Sequence, residues 1–514
     1  MVSAQTRPER PPHVAWETLV AWVAELAEPD GPAQPHAQPH AQPHAQPHEA
    51  ITGLTLSSER TRRGDLYVAL AGARSHGMDF AEQARAAGAV GVLTDHEGAA
   101  RGRADLAVDD PRALLGRLAA RVYGEPAAAM RMIGVTGTQG KTTTTRLAEG
   151  GLEGAGVRAG VIGTVGTRIA GEDVKTALTT PEAPDLHALF AVMRERGVTA
   201  CAMEVSSHAL VMGRVDGVVF DVAVFLNLGR DHLDFHADEE DYYRAKASLF
   251  TPERARLALI GIDDEHGRRL ASETGLPVQT FSTQGRDADW TVADVRPGPD
   301  GSSFRVLGPG VDAEARVPLP GAFNVSNALA AVAACGEAGL DVPAVARAIG
   351  SGVGVPGRFE RIEAGQPFTV VVDYAHKPDA VRAALESLRP LTDGRLLVVL
   401  GAGGDRDPGK RPIMGELAAR LADVLVVTDD NPRTEPPAAI RAAVLAGARG
   451  GTARLIEEGD RRAAIATALD LAAPGDIVVV AGKGHETGQE VDGVVHPFDD
   501  REVVRELLAA RQQE

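Results

Sequence analysis

The sequence contains few residues of several types that would assign it to a specialised class of protein. Only two of its 514 residues are cysteines, Cys201 and Cys335, and each lies inside an apolar run without the spacing of a metal site. This scarcity argues against a disulfide-rich secreted fold and predicts buried thiols in a reducing compartment. Aromatic residues make up only 4% of the chain, so aliphatic side chains must fill its hydrophobic cores.

Long hydrophobic runs and net positive charge are also missing. No apolar run approaches the roughly 18 residues of a membrane span, and the first residues lack the basic start and apolar centre of a signal peptide. The formal charge of −18 argues against nucleic acid or an anionic membrane surface as the main partner. The sequence therefore predicts a cytoplasmic protein that neither binds nucleic acid nor inserts into a membrane.

The length and the hydrophobic content of 44% predict about three domains, each with its own core. The first segment contains Ala-Gln-Pro-His four times over residues 33–48, where the prolines exclude a regular helix. The four histidines of this repeat would capture a metal only adventitiously, and we assign no catalytic metal there. Residues 16–26 have helical spacing of apolar positions. We predict a disordered, low-complexity extension over 1–50, an α/β domain over 51–129, a central domain over 130–355 and a C-terminal domain over 356–514.

The C-terminal domain shows the clearest alternation of apolar runs and helical patterns. Such spacing is typical of a parallel sheet with crossover helices, so the fold class is predicted to be α/β. Strands are predicted at 368–372, 396–400, 424–427 and 477–480, and helices at 378–388 and 412–421. In the central domain we predict strands at 200–205 and 222–226 and a helix over 239–249.

A candidate phosphate-binding loop lies at 132–145, which reads M-I-G-V-T-G-T-Q-G-K-T-T-T-T. Backbone N–H groups of a Gly-rich loop and a helix N-terminus bind phosphate oxygens. Lys141 would approach the outer phosphates, and the Thr142 hydroxyl would bind Mg²⁺. Val135 stands where the full Walker pattern has its first glycine. The alternative is an ordinary strand–turn–helix with a surface lysine.

Polar side chains follow four of the predicted C-terminal strands, in D-Y-A-H, G-A-G-G-D-R-D, D-D-N-P-R and A-G-K-G-H-E. Open parallel sheets bind ligands at the carboxyl ends of their strands, so these loops should converge on one crevice. Its arginines suit a carboxylate and its acids an ammonium group, which indicates a zwitterionic ligand rather than a salt-bridged rim. The crevice residues are predicted to be Arg406, Asp430, Asn431, Arg433, Lys483 and Glu486.

The central domain carries polar residues at similar places. Glu204, in E-V-S-S-H after a predicted strand, is a reasonable Mg²⁺ ligand. His232, in N-L-G-R-D-H-L-D, would be either a ligand of a second metal or a polar loop residue, and spacing alone leaves both open. Lys246, in Y-Y-R-A-K-A-S-L-F, has the local pattern of a solvated helix lysine.

Taken together, these motifs resemble those of the Mur ligases of peptidoglycan synthesis, from about Ile51 to the C-terminus. The family has a central P-loop ATPase-like domain and a C-terminal Rossmann-like domain with a parallel sheet. The motifs that carry the resemblance are V-T-G-T-Q-G-K-T-T, L-T-T-P, E-V-S-S-H-A-L, N-L-G-R-D-H-L-D, F-N-V-S-N-A-L-A, V-D-Y-A-H-K-P-D, G-G-D-R-D, D-N-P-R-T-E and G-K-G-H-E.

The resemblance implies an ATP and Mg²⁺ site. Thr142, Glu204 and His232 would bind metal, and Lys246 matches the lysine that this family carbamylates, which would make it an anionic metal ligand. Lys141, Glu204, His232 and Lys246 would thus serve catalysis. The implied ATP contacts are Gly137, Thr138, Gln139, Gly140, Lys141, Thr142 and Thr143, with Asn324 at the adenine, Arg358 at a phosphate and Asp373 at the ribose.

The resemblance also implies the other substrates, UDP-N-acetylmuramoyl-L-Ala-D-Glu and an amino acid. We expect a monomer, although the sequence does not determine the oligomeric state. D-N-P-R is the pattern of members that add diaminopimelate rather than lysine, and Arg406 and Arg433 would bind the distal carboxylate that lysine lacks. The sequence does not distinguish the meso from the LL isomer. The implied contacts are Leu56, Ser58, Thr179, Thr180, Ser206 and Arg214 for the UDP-linked dipeptide, and Arg406, Asp430, Asn431, Pro432, Arg433, Gly482 and Glu486 for the amino acid.

Several positions depart from the family pattern. Gln139 replaces the commoner asparagine or serine, and Lys377 stands where D-Y-A-H-T-P is usual. Ser57-Ser58-Glu59 replaces the usual D-S-R, which leaves the geometry of the uridine site open. Met212 takes the place of a frequent substrate-binding glutamine, so no role is assigned to it.

The resemblance implies that ATP phosphorylates the D-glutamyl γ-carboxylate and that the amine attacks the resulting acyl phosphate, with domain closure about a hinge near residues 355–357. Two rival functions stay open at this point. Folylpolyglutamate synthases share the phosphate loop and architecture, although D-N-P-R and the UDP-site resemblance count against them. A nucleotide-driven switch that hydrolyses ATP without ligation would lack the zwitterion crevice and amine-dependent phosphate release.

Overall fold

The computed structural model describes residues 6–27, 49–232, 235–298, 300–350 and 354–511. The Ala-Gln-Pro-His repeat lies outside the described residues, as do Leu233 and Asp234 of the N-L-G-R-D-H-L-D motif.

The first unit has a four-stranded parallel sheet with the strand order β1-β2-β3-β4. Short 3-10 helices lie at Ser58–Arg60, Gly77–Phe80 and Pro126–Ala129. Its other elements are α1 (Trp16–Ala27), β1 (Gly53–Thr55), β2 (Asp65–Ala69), α2 (Ala81–Ala86), β3 (Gly91–Thr94), α3 (His96–Arg101), β4 (Leu106–Ala107) and α4 (Pro111–Val122).

Helix α1 belongs to the core of this unit. Leu19, Val23 and Leu26 recur at helical spacing and are buried in the same cluster as residues of the sheet. Upstream of the helix, Arg7 Nη1 donates to Asp65 Oδ1 at 2.5 Å. The prediction of a disordered extension over 1–50 is therefore wrong for Arg7 and for helix α1. Burial of the apolar face of the helix against the sheet stabilises it.

The second unit contains an eight-stranded sheet with the order β12-β11-β10-β5-β9-β6-β7-β8, in which the first six strands are parallel. The phosphate-loop strand β5 lies between β10 and β9. Its elements up to this sheet's last strand are β5 (Arg131–Thr136), α5 (Lys141–Gly154), β6 (Ala159–Gly163), β7 (Gly166–Ile169), β8 (Glu172–Val174), α6 (Ala183–Glu195), β9 (Ala200–Glu204), α7 (Ser207–Val211), β10 (Phe220–Phe225), α8 (Glu239–Ala247), β11 (Ala255–Gly261), α9 (Glu265–Glu273) and β12 (Val278–Phe281).

A separate three-stranded antiparallel sheet follows in the same unit, and two helices complete it. Alanine-rich α10 packs against α5, the helix that begins at the phosphate loop. These elements are β13 (Thr291–Gly298), β14 (Gly301–Gly308), β15 (Val311–Val317), α10 (Ala322–Glu337) and α11 (Val342–Ala348).

The third unit has a six-stranded sheet with the order β16-β17-β21-β18-β19-β20, parallel except for β16, and a separate hairpin of β22 and β23. A 3-10 helix lies at Arg389–Leu391. The elements are β16 (Glu360–Arg361), β17 (Thr369–Asp373), α12 (Pro378–Leu388), β18 (Leu396–Leu400), α13 (Lys410–Leu421), β19 (Val424–Val427), α14 (Pro437–Ala448), β20 (Arg454–Glu457), α15 (Arg461–Leu471), β21 (Ile477–Ala481), β22 (Gly488–Val491), β23 (Val494–Pro497) and α16 (Asp500–Arg511).

The α/β fold class is confirmed. The predicted strands at 396–400 and 424–427 and the helix at 378–388 match the observed bounds. The strand predicted at 368–372 is displaced by one residue, and the strand predicted at 477–480 extends one residue further. The register aligns Ala481 with both Asp373 and Leu400, so these strands end at one level and their loops meet there. Within the described part of the chain, no helix has the length and apolar character needed to span a membrane.

Candidate active site

The phosphate loop joins β5 to α5 through two glycines in left-handed or positive-φ conformations, Gly137 at φ 154° and Gly140 at φ 86°. A Cβ on Gly140 would lie 2.3 Å from Asn327 Oδ1, so this position requires glycine. The loop is held from one side by Asn227, whose side chain accepts from Gln139 N at 2.9 Å and whose carbonyl accepts from Thr138 N at 3.0 Å. The backbone of the loop is thus arranged before any nucleotide binds.

Two lysines converge on the same loop carbonyl. Lys141 Nζ donates to Gly137 O at 2.8 Å, and Lys246 Nζ donates to the same oxygen at 2.9 Å. Burial lowers the pKa of Lys141 to about 8. Burial, and then the charge of Lys141, lowers the pKa of Lys246 well below its usual value. Two ammonium groups this close favour the neutral amine at one of them.

Lys246 is buried, so the prediction of a solvated lysine from the local sequence pattern is wrong. Its side chain is 1% exposed, and Nζ lies 4.4 Å from the centre of the Tyr242 ring. Tyr242 in turn contacts the loop, with its hydroxyl 3.2 Å from Thr138 Oγ1. Helix α8 therefore presents a lysine with a lowered pKa directly to the phosphate loop, and a neutral amine is the form that reacts with CO2.

Glu204 ends β9, directly beside the phosphate-loop strand, where it pairs in register with Val135. Its carboxylate is 1% exposed and accepts from Thr164 N at 2.7 Å and Thr164 Oγ1 at 3.0 Å. The carboxylate also lies near enough to Lys141 to raise the pKa of that lysine against the effect of burial. Glu204 is thus an anionic group fixed at the end of the loop.

His232 lies in the loop that follows β10, in a left-handed conformation at φ 52°. Its Nε2 lies 3.0 Å from Asp231 Oδ2, and its ring meets that of His208 edge-on at 4.8 Å. Burial lowers the pKa of His232 to about 3, so the imidazole is neutral at pH 7, the form that binds metals.

A Mg²⁺ ion would meet a suitable set of oxygens here, although the described residues contain no cluster of three or more His, Cys, Asp or Glu side chains arranged as a metal site. Mg²⁺ usually takes one or two protein carboxylates and completes its shell with waters and substrate phosphates. Thr142 and Glu204 beside the loop fit that pattern. A carbamate on Lys246 would add a further oxygen ligand close to the loop.

A cavity of about 470 Å³ lies between the central and C-terminal domains. It brings the predicted crevice together with the loop that carries Asp231 and His232. From the central domain it is lined by His208, Arg230, Asp231 and His232. The C-terminal lining includes Arg406, Asp430, Asn431, Arg433, Gly482 and Glu486, all predicted from sequence. Pro432 is not among the described residues that line the cavity.

The D-N-P-R loop is braced on both sides. Asn431 Nδ2 donates to Glu486 Oε2 at 2.9 Å, and Arg433, at φ 52°, pairs its backbone N–H with Glu490 O in β22 at 3.0 Å. Among the described residues no group hydrogen-bonds to the buried Asp430 Oδ1, and its ion-pair partner, Lys483 Nζ, lies 3.6 Å away. A carboxylate oxygen with unused hydrogen-bonding capacity at a cavity wall is suited to an incoming ammonium group.

Lys483 does not belong to the cavity lining as the sequence suggested. It is 0% exposed, and its Nζ donates to Asn431 Oδ1 at 3.0 Å and Glu486 Oε2 at 3.2 Å. The prediction of a crevice residue is therefore wrong for Lys483, because its ammonium group is used to hold two of the crevice loops together.

Of the residues predicted for the adenosine side, Arg358 connects the C-terminal domain with the phosphate loop of the central domain. Arg358 Nη2 lies 3.4 Å from Thr142 Oγ1, and its guanidinium lies 4.3 Å from the centre of the Tyr374 ring. Asp373 accepts from Phe359 N and Ala375 N, both at 2.9 Å. Asn324 is 1% exposed at the start of α10, where its Oδ1 accepts from Asn327 Nδ2 at 3.2 Å.

The residues predicted for the UDP-linked substrate lie apart from this cavity, and none of them is in its described lining. Arg214 Nε donates to Glu182 Oε1 at 2.8 Å, and Thr180 Oγ1 donates to Glu204 O at 2.8 Å. Thr179 lies 3.1 Å from Thr164 Oγ1, and Ser206 caps α7 by accepting from Ala209 N at 3.2 Å. In the first unit, Ser58 Oγ donates to Gln83 Oε1 at 3.0 Å, and Leu56 follows β1.

Sequence reasoning missed several cavity residues. The lining also contains three cations and two acids of the C-terminal domain that had no assigned role, Lys377, Arg382, Lys410, Asp379 and Asp407. One signal in the sequence could have indicated a role for Lys377, because this lysine replaces the threonine of the usual D-Y-A-H-T-P motif. Asp231 lay inside a quoted motif, but nothing in the sequence linked it to Lys377.

Comparisons with known proteins cover almost the whole chain. Three family models match consecutive parts: the Mur ligase family catalytic domain at residues 50–123, the Mur ligase middle domain at 135–335 and the Mur ligase glutamate ligase domain at 357–484. The chain is 54% identical to UDP-N-acetylmuramoyl-L-alanyl-D-glutamate–2,6-diaminopimelate ligase of Streptomyces avermitilis, over 98% of this chain and 99% of the relative. The Streptomyces coelicolor protein of the same name is 53% identical, over 98% and 99%.

A solved structure titled as a UDP-N-acetylmuramoyl-L-alanyl-D-glutamate–2,6-diaminopimelate ligase resembles the present one. The TM-score is 0.67 at 33% sequence identity, and the match covers 98% of this chain and 100% of the other. The three-unit architecture is thus shared over its full extent.

Proposed function

The chain belongs to the Mur ligase family, and from that premise we propose that it is the ATP-dependent ligase that joins 2,6-diaminopimelate to UDP-N-acetylmuramoyl-L-alanyl-D-glutamate in peptidoglycan precursor synthesis. The observation that carries this function is the cavity between the central and C-terminal domains. It holds the loop of Asp231 and His232 on one side and the D-N-P-R loop on the other. An amine bound at the second side would face a phosphorylated acid at the first.

The reaction needs activation because a free carboxylate does not form an amide at neutral pH. In the first step, the D-glutamyl γ-carboxylate attacks the γ-phosphorus of ATP, ADP leaves, and an acyl phosphate forms. In the second step, the neutral amine of diaminopimelate attacks the acyl carbon, and phosphate leaves from the tetrahedral intermediate. Catalysis of this type rests on positioning and on charge stabilisation.

The phosphate loop would hold ATP through its backbone N–H groups, with the Lys141 ammonium at the outer phosphates. Arg358 would contact a phosphate, Asp373 the ribose and Asn324 the adenine. Since these residues come from two domains, ATP would bind at their junction.

Thr142, Glu204, His232 and carbamylated Lys246 would hold Mg²⁺. Bound Mg²⁺ supplies positive charge that offsets the charge of the transferring phosphoryl group. The lowered pKa of Lys246 supports the modification, because it increases the fraction of neutral amine at the end of a buried stem.

Diaminopimelate carries two ammonium groups and two carboxylates, and the cavity offers partners for both kinds. Asp430 and Glu486 are suited to an ammonium group, and Arg406 and Arg433 to carboxylates. Lysine lacks the distal carboxylate and would therefore lose the charged contact that this carboxylate makes with an arginine of the cavity. The preference for diaminopimelate follows from that difference.

The UDP-linked dipeptide would bind along the first two units at Leu56, Ser58, Thr179, Thr180, Ser206 and Arg214. We propose that the protein acts as a monomer. ATP and a UDP-linked precursor are cytoplasmic metabolites, so we place the enzyme in the cytoplasm.

The function is tested by measuring ADP release and product mass with ATP, Mg²⁺ and the UDP-linked dipeptide, with meso-diaminopimelate, LL-diaminopimelate or lysine added in turn. We expect a tripeptide product and ADP release that depends on diaminopimelate. Equal turnover of lysine would contradict the specificity, and ADP release without an amine requirement would favour the nucleotide switch. Glutamate addition to a folate would favour the folylpolyglutamate synthase reading.

Two neighbouring aspartates provide a matched pair of variants. Asp430→Asn should raise the KM for diaminopimelate about 10- to 100-fold, because a charged hydrogen bond is worth about 1.5–3 kcal/mol. Asp429→Asn is the control, since Asp429 pairs with Arg441 of α14 at 2.6 Å and is not among the cavity residues. Equal effects of the two changes would place the ammonium site elsewhere.

A further inference from the structure

One ion pair crosses the cavity between the two domains. Lys377 Nζ, just before α12 of the C-terminal domain, donates to Asp231 Oδ2, in the loop after β10 of the central domain. The partners are 146 residues apart in the chain, and both line the cavity. The contact therefore exists only when the two domains lie close together.

The surroundings make this ion pair more than an ordinary surface contact. The two side chains are 19% and 13% exposed, so solvent and salt screen their attraction less than at the surface. By contrast, Arg361 and Asp300, which also join the two domains, are 38% and 66% exposed.

Asp231 also links the contact to the proposed metal site. Its Oδ2 accepts from Lys377 and lies 3.0 Å from His232 Nε2. An approach of the C-terminal domain therefore constrains the aspartate that orients this histidine. The pair connects the position of one domain with the geometry of the loop that faces it.

Lys410 is a nearby cation without this bridging property. It lines the same cavity and its Nζ donates to His376 O at 3.0 Å, within its own domain. Both lysines are partly buried, and both belong to the C-terminal wall. Their difference isolates the effect of contact across the cavity from the effect of positive charge in it.

We infer, on the basis of the proposed function, that Lys377 is a positioning residue that holds the C-terminal domain closed on the central domain through Asp231. The amine is bound on the C-terminal domain and the acyl phosphate forms at the central one. Closure brings the two reacting atoms together, and a misplacement of about 1 Å can cost on the order of 100-fold in rate. Lys377 acts through Asp231 and not on the reacting atoms.

Small-angle X-ray scattering tests the closure directly. Wild type, Lys377→Met, Lys377→Arg and Lys410→Met are compared with a non-hydrolysable ATP analogue and the UDP-linked dipeptide bound. We expect a larger radius of gyration for Lys377→Met only, because arginine can still pair with Asp231. An unchanged radius in Lys377→Met, or an equal increase in Lys410→Met, overturns the inference.

A kinetic comparison separates closure from phosphoryl transfer. Hydroxylamine is small and diffuses freely, so it should trap the acyl phosphate as a hydroxamate without the help of the C-terminal domain. In Lys377→Met we expect diaminopimelate ligation to fall about 10- to 100-fold and hydroxamate formation to fall much less, with ligation by Lys377→Arg within about 3-fold of wild type. Equal losses in both reactions show that Lys377 serves the phosphoryl step, which overturns the inference.

The two hypotheses fail in different ways. If wild type does not ligate diaminopimelate, the proposed function is wrong, and the scattering comparison still decides whether Lys377 holds the domains together. Circular dichroism of each variant confirms that the units are folded, and Lys377→Arg keeps the test decisive if Lys377→Met is unstable.

Discussion

At the scale of single residues, the tertiary surroundings change what a side chain can do. Lys246 has the local pattern of an exposed helix lysine, yet it is 1% exposed and shares the Gly137 carbonyl with Lys141. Its lowered pKa favours the neutral amine, the form that CO2 modifies. A residue whose local sequence looks ordinary is thereby suited to become a metal ligand.

The proposed carbamylation of Lys246 predicts that ligation depends on CO2. Activity should fall in CO2-depleted buffer and return on addition of bicarbonate, and a ¹³C-carbamate signal should appear with labelled bicarbonate. Lys246→Met should lose on the order of 100-fold in kcat, since charge stabilisation at a metal site is worth several kcal/mol. Full activity of that variant, or no effect of CO2, would contradict the modification.

His187 predicts a pH dependence of stability. Burial lowers its pKa to about 4, and its Nε2 lies 3.1 Å from Asp216 O. A histidine with a depressed folded-state pKa is stabilising above its unfolded pKa near 6.5, and that contribution is lost as pH falls toward 4. Between pH 6.5 and 5.5 the loss from this residue should be on the order of 1 kcal/mol.

The measurement is the thermal midpoint of the protein at pH 7.5, 6.5 and 5.5. Wild type should lose stability faster than His187→Gln over the acidic interval, whatever the midpoint of the variant at pH 7.5. Parallel pH profiles would show that His187 does not set this slope.

At the scale of elements, the hairpin of β22 and β23 shapes the amino-acid site from outside the sheet. Gln489 Nε2 donates to Asp430 O at 2.7 Å, and Arg433 pairs with both Glu490 and Asp492 through its backbone. The hairpin follows the last parallel strand, so only its folding back brings it to the D-N-P-R loop. An element that contributes no residue to the described cavity lining can thus set the geometry of a loop that does.

Loss of the Gln489 contact should weaken the binding of diaminopimelate. Gln489→Ala removes a hydrogen bond worth about 0.5–1.5 kcal/mol, so the KM for diaminopimelate should rise roughly 2- to 10-fold, with the KM for ATP unchanged. Val495→Thr, on the outer strand at 66% exposure, is the control and should leave both values unchanged. A rise in both KM values would point to a general loss of folding instead.

At the scale of the whole molecule, ATP should draw the central and C-terminal domains together. The phosphate loop belongs to the first of these, and Arg358 and Asp373 to the second. In the structure Arg358 already reaches Thr142 at 3.4 Å, a long and weak contact on its own. A bound phosphate would give both residues a common anionic partner.

Arg358→Ala should therefore uncouple nucleotide binding from closure. We expect the Kd for an ATP analogue to rise about 10-fold or more, from loss of a charged hydrogen bond, and the analogue to reduce the radius of gyration less than in wild type. Arg462→Ala is the control, since Arg462 pairs with Glu506 at 2.7 Å on the surface of the C-terminal domain alone. Normal compaction of Arg358→Ala would show that this arginine does not join the domains.

Prediction from sequence succeeded where the signal is local. The strands at Leu396–Leu400 and Val424–Val427 are continuous apolar runs because both faces of a parallel sheet are buried. The antiparallel sheet β13–β15 was not predicted, since its first strand is largely exposed and has no such run. The helical spacing of apolar residues predicts helix α1. Its place in a core depends on a sheet that begins at Gly53, after residues 28–48, which lie outside the described residues.

The α/β class, the phosphate loop and the loops that follow the C-terminal strands can be predicted from the sequence, because each depends on neighbours in the chain and on where parallel strands end. The burial of Lys246 beside Gly137, 109 residues away, and the pairing of Lys377 with Asp231, 146 residues away, arise from the tertiary fold. The fold also places the Lys483 ammonium group against Asn431 and Glu486, where it connects two loops and does not line the crevice. Charge, pKa and solvent exposure at these positions are set by groups distant in the chain, and no local pattern records them.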